Sequence, residues 1–250
     1  MPRLIIAVCF LAAASAAPLT AQQPKPAAKK AEKAERFQAG EADVAEIKAR
    51  AEKLAAALAK IPEDKRGREY ADAAVCHKAA EWIVRHDEFP DAKAVPATLK
   101  AVDLGLARAA ALAKGRHPWT EAKGVVVGRG YRSRVDGSFQ PYAIHVPADY
   151  DPKGEPRRLE VVLHGRDGKL TEATFLAGHD GRKVGPDEKA LVLEVYGRGN
   201  NAYRWAGEAD VFEAIDAVKA GYRVDERRIV LRGFSMGGAG AWHLGLHHPS

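Results

Sequence analysis

A short apolar strand pattern runs into a glycine-flanked serine and then directly into a small-residue helix pattern. Arg228 to Arg232 reads RIVLR, and Gly233, Phe234, Ser235, Met236 and Gly237 follow at once. Met236 to His247 is then rich in Gly, Ala and Leu. β-Branched and apolar residues in a run this short suit a buried strand. The order strand, G-x-S-x-G, helix predicts a sharp turn that lifts the serine oxygen clear of a sheet. Gly233 and Gly237 are expected for steric reasons, because a side chain at either would meet the neighbouring strand or helix.

The chain upstream supplies the rest of such a sheet. Val125 to Arg134 and Phe139 to Val146 are alternating runs joined through Val135, Asp136, Gly137 and Ser138. An Asp-Gly pair between such runs predicts a hairpin. Leu159 to Leu163, Ala190 to Val195 and Ile229 to Arg232 read as buried strands. Helical segments at Leu170 to Ala177 and Glu208 to Ala220 separate them. The predicted fold class is α/β, an antiparallel hairpin leading into βαβαβ and hence a mostly parallel sheet. Ligands bind such sheets at the carboxyl ends of the strands, where Ser235 falls.

A small all-α region, residues 40–115, precedes the sheet. Val44, Ile47, Ala51, Leu54, Leu58 and Ile61 recur at helical spacing, and Pro62 and Gly67 end the run. A second helix is expected from about Glu69 to His86. A third is expected from Pro96 to Ala113, with proline tolerated in its first turn and Gly115 as a stop. Three amphipathic helices with short connections predict a small bundle or a helical cap.

Residues 1–21 have the pattern of a secretory signal: Arg3, an apolar stretch from Leu4 to Ala14, and small residues up to Ala21. The apolar stretch is short for a membrane span, so no transmembrane segment is expected after signal removal. Residues 22–39 read as a flexible linker. Between Lys25 and Arg36 this linker has five basic residues and two acidic ones, a local part of the net charge of +6. A solvated tether is the simpler reading, and weak contact with an anionic surface or polymer is the alternative. No aromatics interleave with the charge, so nucleic acid is not an expected partner. Removing the signal would leave Cys76 as the one cysteine, which rules out an internal disulfide in the remainder. Cys76 is expected to pack as a buried small hydrophobe. Periplasmic or extracellular localisation follows as the expectation.

QPYAIHVPADYDP, then LEVVLHGRDG, then YRVDERRIVLRGFSMGGAGAW together resemble the α/β-hydrolase superfamily over residues 124–250. Within it the chain is most similar to secreted esterases of the polyhydroxybutyrate-depolymerase and feruloyl-esterase type, and to prolyl-oligopeptidase-like catalytic domains. The resemblance implies the first half of that sheet and a serine hydrolase mechanism on an ester or peptide substrate. Ser235 would be the nucleophile. The oxyanion hole would use the N–H of Met236 and that of Gly165 or Arg166, in the turn His164, Gly165, Arg166, Asp167, Gly168. The loop after Val195 would reach the same rim and offers Arg198, Asn200, Tyr203 and Trp205 as candidate substrate contacts. Glu208 and Asp210, at the start of the next helix, read as structural, since acidic residues favour that end of the helix dipole.

The family order is serine, then an acid, then histidine. After Ser235 only His243, His247 and His248 follow, with no Asp or Glu. His243 stands about two turns along the helix, away from the place of a base, and His179 is expected only at a site edge. The resemblance therefore implies a chain continuing past Ser250 and little turnover by these 250 residues alone. The rival is a complete, non-catalytic envelope- or polymer-binding protein. No metal motif, phosphate loop or dinucleotide fingerprint is present, so no metal and no cofactor are expected.

Overall fold

The computed structural model describes residues 5–6 and 37–249. The linker over residues 22–36, Ser250, and the signal apart from Ile5 and Ile6 lie outside the described residues.

Three helices come first after residue 37: α1 (Glu41–Ala59), α2 (Arg68–Arg85) and α3 (Ala94–Leu112). Their bounds fall within three residues of the periodicity. Pro96 sits in the first turn of α3, and Gly115, past its end, has φ +67. Ile47, Leu54 and Leu58 of α1 are buried with Ala73, Cys76, Ala80 and Ile83 of α2 and Val102 of α3. Gly105 of α3 lets the helices close up: a Cβ there would lie 2.6 Å from Leu54 Cδ2 and 2.8 Å from Cys76 Cβ. Burial pushes the Cys76 thiol up to about 12, so it stays protonated and inert.

The sheet contains β2 (Val125–Arg132), β3 (Phe139–Val146), β4 (Arg157–Leu163), β5 (Leu191–Val195) and β6 (Val224–Gly233). A two-residue strand, β1 (Ile5–Ile6), lies parallel to Val230 and Leu231 of β6, and the order is β1-β6-β4-β5-β3-β2. This short strand covers two residues of the outer edge of β6. The hairpin pairs Val125 with Val146 and Arg132 with Phe139, so β2 ends two residues before the sequence pattern suggested. Ser133 and Arg134 belong to the turn, closed by Ser133 N–H to Ser138 C=O and by Gly137 at φ +72. β3 runs antiparallel to β5, and β5, β4 and β6 are parallel. α4 (Glu172–His179) and α5 (Ala206–Gly221) make the two crossovers, and α6 (Met236–His247) follows β6. The fold is α/β: the hairpin, then βαβαβ, behind a small all-α region.

Side-chain alternation sorts the layers. Leu159, Val161 and Leu163 of β4 and Leu191, Leu193 and Val195 of β5 share a core with Val211, Ala214 and Val218 of α5 and with Ala241 and Leu244 of α6. On the other face α4 joins the helical region through Ala173 and Leu176. β2 is buried along nearly its whole length because α2 lies directly on it. A Cβ on Gly130 would fall 2.4 Å from Ala71 C=O. Asp72 of α2 is fully buried and accepts from Arg129 Nε at 2.8 Å, Gly130 N–H at 2.9 Å and Trp119 Nε1 at 2.8 Å. The helical region thus packs on the hairpin side of the sheet through a satisfied buried ion pair. Among the described residues, no helix is long and apolar enough to cross a membrane.

Candidate active site

β6 ends at Gly233 and α6 begins at Met236, leaving two residues to reverse the chain. Ser235 takes the strain, with φ 52 and ψ −118. A non-glycine residue there costs on the order of 1–3 kcal/mol and persists only where the surroundings enforce it. The enforcement is steric. A Cβ on Gly233 would lie 2.2 Å from Gly237 C=O, and one on Gly237 would lie 2.0 Å from Leu163 C=O. The helix therefore starts in backbone contact with β4 and with its own strand. Ser235 is exposed and its side chain caps nothing, so the hydroxyl is presented outward.

Gly165 faces this turn from the end of β4. A Cβ on it would lie 3.4 Å from Phe234 C=O and 3.6 Å from Ser235 Cβ. Among the described residues, the N–H groups of Gly165 and Arg166 have no carbonyl partner. Met236 is the first residue of α6, so its N–H is one of the donors a helix leaves free. Gly165, Arg166 and Ser235 line one cavity, and Met236 follows Ser235 directly.

The loop after β5 holds the Gly165 turn in place. Tyr203 is fully buried, and its hydroxyl accepts the His164 N–H at 2.6 Å. The ring fills the space above Gly197 and Gly240, where a Cβ would come within 2.7 Å and 2.6 Å of it. Asn200 Oδ1 accepts from Asp167 N–H at 3.0 Å while its Nδ2 donates to Asp167 C=O at 2.8 Å. Arg198 is committed to Asp136, to Asp210 Oδ2 at 3.0 Å and to Ser133 Oγ at 3.0 Å. Burial pushes the Asp210 carboxyl up, against the pull of Arg198. Of the four candidate rim residues, three therefore bind protein groups, while Trp205 is 80% exposed. Arg198, Ala202, Tyr203 and Trp205 are non-glycine residues at positive φ, and such strain clusters at functional sites. The Gly-x-Gly-Asn-Asn run was its one signal in the sequence.

Each histidine near Ser235 is held by another group. The His164 ring contacts Tyr196 C=O at 2.9 Å and Gly165 C=O at 2.8 Å. His179 shares with Ser235, Gly165, Arg166 and Phe234 a cavity of about 390 Å³. Its Nδ1 contacts Phe175 C=O at 2.7 Å and its Nε2 contacts Glu194 Oε2 at 2.9 Å. Both ring nitrogens of His179 are thus engaged within the protein. Glu194 also binds His145 Nε2 at 2.6 Å and Arg182 at 2.7 Å. Burial pushes its carboxyl up, but the hydrogen bonds from His145 and His179 outweigh this and hold it far below the usual range. His243 contacts Glu208 Oε2 at 2.8 Å. Phe234, which had not been singled out, is 82% exposed and stands between this cavity and a second one of about 850 Å³ lined by Val162, Val230 and Trp242.

No family model matches the chain, and no curated protein matches it. A solved structure, "Crystal Structure of a Thermostable Esterase", is similar to it with 24% sequence identity and a TM-score of 0.35. The match covers 50% of this chain and 38% of that one, so the chain spans well under half the length of that structure.

Proposed function

We propose that this chain is an exported serine hydrolase acting on carboxylic esters, with Ser235 as nucleophile. The observation that carries the proposal is the strained Ser235 backbone, φ 52 and ψ −118, with Gly165 in contact beside it. A strand-to-helix turn under this strain has a clear use in exposing an attacking oxygen. Ser235 Oγ attacks the ester carbonyl carbon as its proton passes to a base. The carbonyl oxygen becomes an oxyanion held by the N–H groups of Met236 and of Gly165 or Arg166. Collapse expels the alcohol, which takes the proton, and leaves an acyl-enzyme. Water then adds to the acyl carbon, Ser235 regains its proton and the acid departs. Phe234 and Trp205 would border the acyl and alcohol groups.

In this reading the base and its orienting acid come from outside the described residues: both ring nitrogens of His164 and of His179 contact protein groups, and His243 pairs with Glu208 on the neighbouring helix. The test is a fluorophosphonate on the protein isolated from its native source. Labelling at Ser235 that disappears in Ser235→Ala supports the reading, and absent labelling sinks it. Ester and peptide substrates assayed side by side separate an esterase from a prolyl-oligopeptidase-like peptidase, which would share this chemistry. The engagement of those histidines favours one other reading, a non-catalytic envelope- or polymer-binding protein. That reading requires polymer binding that survives Ser235→Ala.

A further inference from the structure

Beyond the serine site, α5 and α6 bring a second set of chemical groups together. Glu208 lies in the first turn of α5, and His243 and His247 lie four residues apart on α6. That spacing puts both imidazoles on one helix face. Their ring centroids are 4.2 Å apart with the planes at 90°, so the rings are splayed edge to face. Glu208 Oε2 is 2.8 Å from His243 Nε2. One ligand atom from each of Glu208, His243 and His247 lies within 4.8 Å of the other two.

We infer that Glu208, His243 and His247 form a binding site for a divalent transition-metal ion of the zinc type. The donor set is two imidazoles and one carboxylate, which suits Zn²⁺ and disfavours Mg²⁺ or Ca²⁺, ions that prefer all-oxygen shells. Ligands at about 2.0–2.1 Å from zinc in a tetrahedron stand roughly 3.4 Å from one another. The present separations, 2.8 Å between Glu208 and His243 and at most 4.8 Å overall, bracket that value. His248 supplies an outer contact. Its Nε2 holds Glu208 Oε1 at 2.8 Å, and Phe212 packs on its ring at 4.7 Å. With Oε1 restrained, Oε2 is the oxygen turned toward His243 and His247, the kind of carboxylate orientation that metal sites use. Binding replaces whatever proton lies between Glu208 and His243 with the ion, so any such proton is released to solvent. A fourth coordination position stays open to water.

The site's place in the fold gives it a consequence. α5 is entered through Trp205 and α6 through Ser235, both at positive φ. An ion bound by Glu208 and the two histidines would staple the first turn of α5 to the last turns of α6, fixing the spacing of the two helices behind those entries. No contiguous metal motif marks this donor set in the sequence, because it is split across two helices.

The experiment is calorimetric titration of the full chain, stripped with a chelator and dialysed, using Zn²⁺ alone. One equivalent should bind, and the thermal midpoint should rise. His243→Ala and His247→Ala should each weaken binding by at least about 100-fold, more than is typical for loss of an outer hydrogen-bond partner. His247 is exposed, so its variant should keep the wild-type far-UV circular dichroism and remain interpretable if His243→Ala does not fold. Co²⁺ in place of Zn²⁺ should give tetrahedral visible bands that His247→Ala abolishes. No saturable binding below about 100 μM, or one-equivalent binding unchanged in His247→Ala, would overturn the site. The readout needs no turnover, so it stands or falls independently of the hydrolase proposal.

Discussion

Trp205 and Ser235 have the same backbone conformation. Trp205 sits at φ 54, ψ −123 and Ser235 at φ 52, ψ −118. Each is the residue immediately before a helix, and each is exposed. The chain thus makes the same strained entry twice, once into α5 and once into α6. Packing imposes it both times: a Cβ on Gly207 would lie 2.5 Å from the Asn201 amide, just as Gly237 meets Leu163.

Strain of this kind is relieved by glycine. Trp205→Gly should stabilise the protein by about 1 kcal/mol, the net of roughly 1–3 kcal/mol of strain released and about 0.5–1 kcal/mol lost to the greater freedom of glycine when unfolded. Little packing is lost because the indole is largely exposed. Trp205→Ala keeps the strained φ and should give no gain. Urea midpoints of the two variants check this.

Tyr203→Phe tests the support of the Gly165 turn. The change leaves the ring in place over Gly197 and Gly240 but strands the His164 N–H in the interior. Stability should fall by about 1–3 kcal/mol. On the proposed serine-hydrolase reading, ester turnover should drop roughly 10- to 100-fold as the Gly165 turn loses register, with KM little changed. A rise in KM with kcat unchanged would instead assign the turn to substrate binding rather than to the chemical step.

The elements that were legible in the sequence are those with a strong period or a special residue. The helices α1 to α3, the Asp136-Gly137 hairpin and the turn at Ser235 all announce themselves this way. The role of the loop after β5 was not legible. Asn200, Tyr203 and Arg198 look like a polar rim because one sequence shows side-chain chemistry and not side-chain direction. Their partners, Asp167, His164, Asp136 and Asp210, lie on other elements. The docking of α2 on β2 escaped for the same reason, since Asp72 reads as an ordinary polar residue within an alanine-rich helix.

Glu194 gives an acid-limb prediction. Its folded pKa is depressed by the hydrogen bonds from His145 and His179, which outweigh burial. A depressed carboxylate contributes stability that is complete above its unfolded pKa of about 4.3 and is lost as pH falls toward the folded value. Glu194→Gln should therefore destabilise the protein by about 2 kcal/mol at pH 6–7, the scale of hydrogen bonds to a charged group. The gap to wild type should narrow steadily below about pH 4. Denaturant midpoints from pH 3 to 7 measure it, and a gap constant across that range would contradict the assignment.

Asp72 decides whether the helical region and the sheet unfold together. Its carboxylate accepts three hydrogen bonds from beyond α2: Arg129 and Gly130 of β2, and Trp119 of the segment between α3 and β2. Arg108 of α3 adds a bond to the Asp72 carbonyl and an ion pair to Asp180 at 2.9 Å. Asp72→Ala leaves the buried Arg129 guanidinium unpaired, a change that costs about 3–5 kcal/mol when one partner of a buried pair is removed. The loss falls at the seam between α2 and β2, so wild-type protein should melt in one transition and Asp72→Ala in two, the helical region separating first. Adding Arg129→Met removes the stranded charge and should recover part of the loss. Recovery in the double variant would identify charge burial as the source, whereas equal destabilisation of the single and double variants would assign it to the hydrogen bonds of Gly130 and Trp119.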